Sequence, residues 1–314
     1  MPGDLSNKSG GERDRWAIFW SLIRVALFLV LFIGLYLVVF QVLAVAGIDF
    51  RFLGSMADTA QELVVLVMAL LLICVCSGRF DRRLLADLGL KNERVPANLL
   101  VGFGLGAILV VAIIGGIFAL GGYRVQSVAF DPGVFSYLIF FLVVAVLEEV
   151  VFRGFVFSTL EKGIGTTGGV IVASLVFGFA HMINPANGLP LFDKAFACLV
   201  LSFESGLPLN LAFLVSRNLW FPIGIHWAWN FFEGPVFGAY VSGHDLGTAL
   251  VRSRLEPGFL LGGGLFGPES SLSGLVFGVL LAYLIARYRG LAPALGLKDS
   301  VSERSDEDPC QTAG

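Results

Sequence analysis

Two adjacent carboxylates and an arginine, Glu148, Glu149 and Arg153, interrupt an apolar run from Val134 to Leu160. Insertion scales put a charge at the centre of a bilayer helix at roughly 2.5–3.5 kcal/mol. Three such groups are tolerated where they pair or face a wet interior. Glu149 and Arg153 stand four apart, so they share a helix face and can pair. Glu148 is turned away by about 100° of helix rotation, which leaves its carboxylate free for acid–base work. A structural ion cluster is the plain alternative, but ionisable groups inside a membrane point first to function.

Two further apolar runs carry polar groups. Phe177-Gly-Phe-Ala-His181 places an imidazole beside the small residues Gly178 and Ala180. Alone, such a histidine is more often a hydrogen-bonded packing residue than a proton carrier or ligand. His226-Trp-Ala-Trp-Asn230 sets an imidazole and an amide on one helical stripe, which suggests a shared target. Asn230 can equally hold the His226 ring, and a positioned ring is also a usable one. Trp227, Trp229, Phe231 and Phe232 fit the wall of a hydrophobic channel or ordinary core and lipid contacts. His244 falls in the loop Ser242-Gly-His-Asp245, where a solvated role is expected. Glu204 is another carboxylate in an apolar run, beside the helix-breaking Gly206-Leu-Pro208.

The elements that must position these groups are membrane helices. Of 314 residues 56% are hydrophobic and 14% charged, against about 25% charge in soluble domains. A span needs about 20 apolar residues. About eight are expected, at Val25–Ala46, Thr59–Ser77, Ala97–Gly121, Val134–Leu160, Thr166–Ile183, Phe192–Val215, Leu219–Val241 and Ser271–Tyr288. The fold class is therefore all-α and polytopic, with the helices surrounding an intramembrane polar cavity. Residues 1–15 and 300–314 read as polar tails around one membrane domain, whose core motifs span 148–230. The first apolar run is too long for a cleaved signal and reads as an uncleaved anchor.

With the N-terminus inside, most of the 21 basic residues fall on the inner face, so both termini are expected to be cytoplasmic. The segment Arg79–Arg94 then reads as a cytoplasmic amphipathic stretch, and Pro268 and Glu269 suit the first turn of the last helix. A net charge of -3 argues against nucleic acid as a partner. Cys74, Cys76, Cys198 and Cys310 suggest neither a disulfide framework nor a zinc ribbon.

Glu-Glu-x-x-x-Arg, Phe-x-x-x-His and His-x-x-x-Asn, in this order and each in its own span, resemble one family. It is the CAAX prenyl protease and bacteriocin-processing family of intramembrane proteases, also called CPBP or ABI. The resemblance runs from about Asp81 to Glu269. It takes in Val241-Ser-Gly243 and the Gly-Pro-Glu269 stretch, while Ser216-Arg217-Asn218 departs from the usual turn. It implies Glu148 as the residue that activates water, assisted by His181, with His226 and Asn230 stabilising an oxyanion. Glu149, Arg153 and Phe177 would support the site. It further implies a hydrophobic or lipidated peptide substrate, the bilayer as partner and a bacterial plasma membrane as location. The family is catalogued as metal-dependent, yet a glutamate-driven mechanism without metal has also been argued for it. Glu148, His181 and His226 could hold a zinc ion, although no His-Glu-x-x-His motif is present. A proton-coupled transporter and a catalytically silent scaffold or bacteriocin-immunity protein are the rival readings.

Overall fold

The computed structural model describes residues 8–78, 86–185, 188–256 and 258–287; at 8–14 and 259 the backbone alone is described. The tail 300–314, part of the tail 1–15 and part of Arg79–Arg94 lie outside these residues.

With no water in a bilayer core, every backbone amide must find its partner within the protein, and the apolar runs accordingly fold as helices. Helix α1 spans Lys8–Val45 and α2 spans Ala57–Ser77, which ends on Gly78 in the left-handed region at φ 64. Helix α3, Val95–Ala119, starts with Pro96 in its first turn. Helix α4, Val134–Glu149, continues through a π-helical turn at Val150–Phe157 into α5, Ser158–Ala180. Helices α6, Leu191–Leu201, and α7, Leu207–Ser216, flank a second π turn at Ser202–Gly206. Helix α8, Trp220–Phe231, widens into a third at Phe232–Val236, and α9 spans Leu272–Arg287.

Among the described residues five helical stretches are long and apolar enough to cross a membrane: Arg15–Val45, Phe50–Ser77, Val95–Ala119, Val134–Ile183 and Leu191–Ser216. The chain is a helical, polytopic membrane protein. The count of about eight does not appear as such. Two of the expected spans join in the 50-residue stretch Val134–Ile183, which bends at Gly165, where φ is 75. The runs expected as the last two spans hold the shorter helices α8, of 12 residues, and α9, of 16. The helices are joined by one element that hydropathy did not reveal. Strands β1, Tyr123–Val128, and β2, Val251–Leu255, pair antiparallel, and the Tyr123 hydroxyl donates to the Phe237 carbonyl at 2.7 Å.

Glycines let the site-bearing helices approach closely. A Cβ on Gly224 of α8 would lie 2.4 Å from the Leu99 carbonyl oxygen of α3. Cβ atoms on Gly102 and Gly106 would each come within 2.3 Å of α8 carbonyl oxygens. In lipid the helix contact rests on such backbone proximity, because hydrocarbon tails are as apolar as leucine.

Candidate active site

Local helix geometry settles the first pair. Arg153 Nη1 donates to Glu149 Oε1 at 2.8 Å, and both side chains are wholly buried. Arg153 Nη2 reaches the Gly206 carbonyl at 3.4 Å, and the guanidinium carbon lies 4.3 Å from the Phe177 ring centre. The π turn that follows Glu149 widens the backbone ladder, and Ser158 Oγ donates to the Arg153 carbonyl at 3.0 Å. Such turns recur at functional sites, because the inserted residue redirects side chains.

Glu149 also accepts from His226 Nδ1, at 2.9 Å on the same oxygen. This bond places a proton on Nδ1 and turns Nε2 forward. His181 is oriented in a similar way, since its Nδ1 bonds the Phe177 carbonyl at 2.9 Å. Its ring lies 4.9 Å from that of Phe177, which also lies 6.2 Å from the His226 ring. Phe177 therefore packs between the arginine and the two imidazoles.

Glu148 stands where both rings point. Its Oε2 lies 3.9 Å from His181 Nε2 and 3.8 Å from His226 Nε2. Neither distance is a hydrogen bond, and Oε2 is buried without a partner among the described residues. Yet the side chain is 23% exposed, so it has a route to solvent or substrate. Contacts of this length between polar groups are the kind that one water bridges.

Asn230 is buried one turn beyond His226, and its amide has no hydrogen-bond partner among the described residues. The His226 ring is held by Glu149, which removes that task from Asn230. Glu148 and Glu149 of α4, His181 at the end of α5 and His226 of α8 thus lie at one place, with Asn230 one turn along α8 from His226. Trp229 packs into a hydrophobic cluster with α3, and Trp227 Nε1 donates to the Leu138 carbonyl at 2.8 Å. These two indoles are packing residues of α8.

Glu204 sits apart from Glu148. It is wholly buried in the second π turn, accepts a hydrogen bond from Ser205 and leaves Oε1 without a partner. It lies within electrostatic reach of Glu233 and Glu269. Glu269 is itself buried rather than a solvated helix start, and the turn that carries it, Pro268–Ser270, precedes α9. Glu233 was not singled out from the sequence, although it continues the His226–Asn230 stripe at the i+7 position. That spacing was the available signal.

Among the described residues no group of three His, Cys, Asp or Glu is placed to hold a metal ion. A metalloprotease-like reading therefore gains no support from the described residues.

Residues 129–232 match the family model of the Type II CAAX prenyl endopeptidase Rce1-like proteins. The matched residues include Glu148, Glu149, Arg153, Phe177, His181, His226 and Asn230. The resemblance carried by the three motifs therefore holds over that region. No curated protein and no solved structure matches the chain.

Proposed function

We propose that the protein is an intramembrane endopeptidase that hydrolyses a peptide bond of a hydrophobic or lipidated peptide. The observation that carries this reading is the unpartnered Glu148 Oε2, 3.8 and 3.9 Å from two imidazole nitrogens whose rings are held from behind. A water in that gap donates one proton towards Glu148 and the other to His181 Nε2, leaving an oxygen lone pair for the scissile carbonyl. Glu148 takes the proton as the C–O bond forms and returns it to the leaving nitrogen as the C–N bond breaks.

The tetrahedral oxyanion receives hydrogen bonds from the Asn230 amide and His226 Nε2. Donating from Nε2 while Nδ1 bonds Glu149 requires a doubly protonated ring, and the Glu149 carboxylate is the counter-charge for it. Arg153 holds Glu149 in place. Water activation here falls to the carboxylate and imidazoles of this chain. The substrate reaches the site laterally from the bilayer of a bacterial plasma membrane, and both termini face the cytoplasm.

The test is cleavage of a matched library of hydrophobic and lipidated peptides by purified protein in proteoliposomes. Glu148→Gln is expected to lower kcat by about 10²–10⁴-fold, the usual contribution of a general base. Cleavage at the wild-type rate would remove the proposed base. Proton uptake by sealed vesicles, without hydrolysis, would favour the transporter instead.

A further inference from the structure

Asn184 and Ser242, both half-buried, and the buried Glu269 and Glu233 form a second polar chain, and the mechanism above uses none of them. Asn184 follows the catalytic candidate His181 by three residues, and its N–H donates to the His181 carbonyl at 3.1 Å. Its side-chain Nδ2 donates to the Ser242 carbonyl at 2.9 Å, while Lys194 Nζ bonds the Asn184 carbonyl. Ser242 Oγ donates to Glu269 Oε1 at 2.6 Å. The Glu269 backbone N–H donates to Glu233 Oε1 at 3.1 Å, which brings the two buried carboxyls together. Glu233 lies seven residues beyond His226, on the same helical stripe.

Followed from end to end, these bonds connect the turn at the end of α5, which carries His181, to the helix that carries His226. Ser242 holds a left-handed conformation, at φ 47, that a serine rarely adopts. Such strain persists only where surrounding bonds hold it. Here it turns the Ser242 carbonyl towards Asn184 and its hydroxyl towards Glu269. The flanking turn is closed by Val241 and His244, which exchange backbone bonds at 3.0 and 2.9 Å, and by Gly243, whose N–H donates to the Phe266 carbonyl at 2.7 Å.

We infer that Asn184, Ser242, Glu269 and Glu233 are a brace that sets the separation of the His181 and His226 imidazoles, and so the gap in front of Glu148. They are positioning residues, and their effect on turnover rests on the function proposed above. A glutamine at 269 can still accept from the Ser242 hydroxyl, whereas an alanine keeps only the backbone bond to Glu233 and breaks the chain at Ser242.

The experiment compares Asn184→Ala, Ser242→Ala, Glu269→Ala and Glu269→Gln in full-length protein, with two readouts. One is kcat and KM for a peptide that the wild type cleaves. The other is the imidazole nitrogen resonances of protein labelled with ¹⁵N-histidine, which carries only three histidines. The three alanine variants are expected to lose about 10- to 100-fold in kcat, as misplacement by about an ångström does, with KM little changed. Their His181 and His226 resonances shift together. Glu269→Gln retains wild-type kcat and resonances.

The brace is wrong if the resonances stay put in the alanine variants, if kcat is unaffected, or if Glu269→Gln falls as far as Glu269→Ala. Should Glu269→Ala fail to fold, Asn184→Ala, at a half-buried turn position, carries the comparison. If the wild type cleaves no peptide, the functional reading fails, and the resonances alone decide the brace.

Discussion

At the scale of single residues, the site separates groups that are held from groups that are left free. Glu149 Oε1 receives both Arg153 and His226, whereas Glu148 Oε2 and the Asn230 amide bond nothing among the described residues. Held groups should register in stability and free ones in rate. Arg153→Ala would strand the Glu149 carboxylate inside the protein, and breaking a buried pair costs about 3–5 kcal/mol. A large drop in the thermal midpoint of detergent-solubilised protein is the expected outcome. Asn230→Ala should leave the midpoint nearly unchanged and lower kcat about 10²–10³-fold, as loss of an oxyanion donor does. A kinetic comparison at saturating peptide checks this, and an unchanged kcat would remove Asn230 from the proposed oxyanion hole. The pairing of Glu149 with Arg153 was legible from spacing alone, because i and i+4 meet on any helix. The bond from Glu149 to His226 was not, since it joins residues 77 apart in sequence.

At the scale of elements, backbone proximity sets how far α8 stands from its neighbours. A methyl at Gly224 would meet the Leu99 carbonyl oxygen at 2.4 Å and the Phe103 nitrogen at 2.9 Å, and neither backbone atom can swing aside. Gly224→Ala should therefore push α8 away from α3, destabilise by about 1–3 kcal/mol as overpacking does, and lower activity by moving His226. Gly104 lies on the same helix α3, and its Cβ would meet nothing within 4 Å. Gly104→Ala should stay within about 0.5 kcal/mol of the wild type. Thermal melts of the two variants side by side check the assignment, and equal effects would contradict it. The glycine-rich character of α3 was plain in the sequence, but which glycines face α8 depends on the rotation of two helices about their axes. The π turns were hidden for a related reason. They arise where the helical ladder yields to tertiary packing, and hydrophobic periodicity carries no mark of them.

At the scale of the whole molecule, charge asymmetry leads to a test of orientation. With both termini cytoplasmic, the face that carries β1 and β2 lies outside. In a cysteine-free background, Arg124→Cys and Arg252→Cys should react with a membrane-impermeant thiol reagent in intact cells, and Asp87→Cys should not. The opposite pattern would invert the topology. The sequence by itself determined the class of the protein, a helical chain threaded through a bilayer, because burying backbone in lipid leaves few alternatives. It also determined the polar residues of Glu148–Arg153, His181 and His226–Asn230 and the face each occupies, since helical periodicity is a local property. Only the tertiary structure decided that those faces meet, with His181 and His226 each within 4 Å of Glu148. That meeting depends on the bend at Gly165, on the widened turns and on how closely glycine lets helices approach. It likewise decided that Asn184, Ser242, Glu233 and Glu269 join into one chain of bonds, since such bonds form between residues that folding alone brings within 3 Å or so.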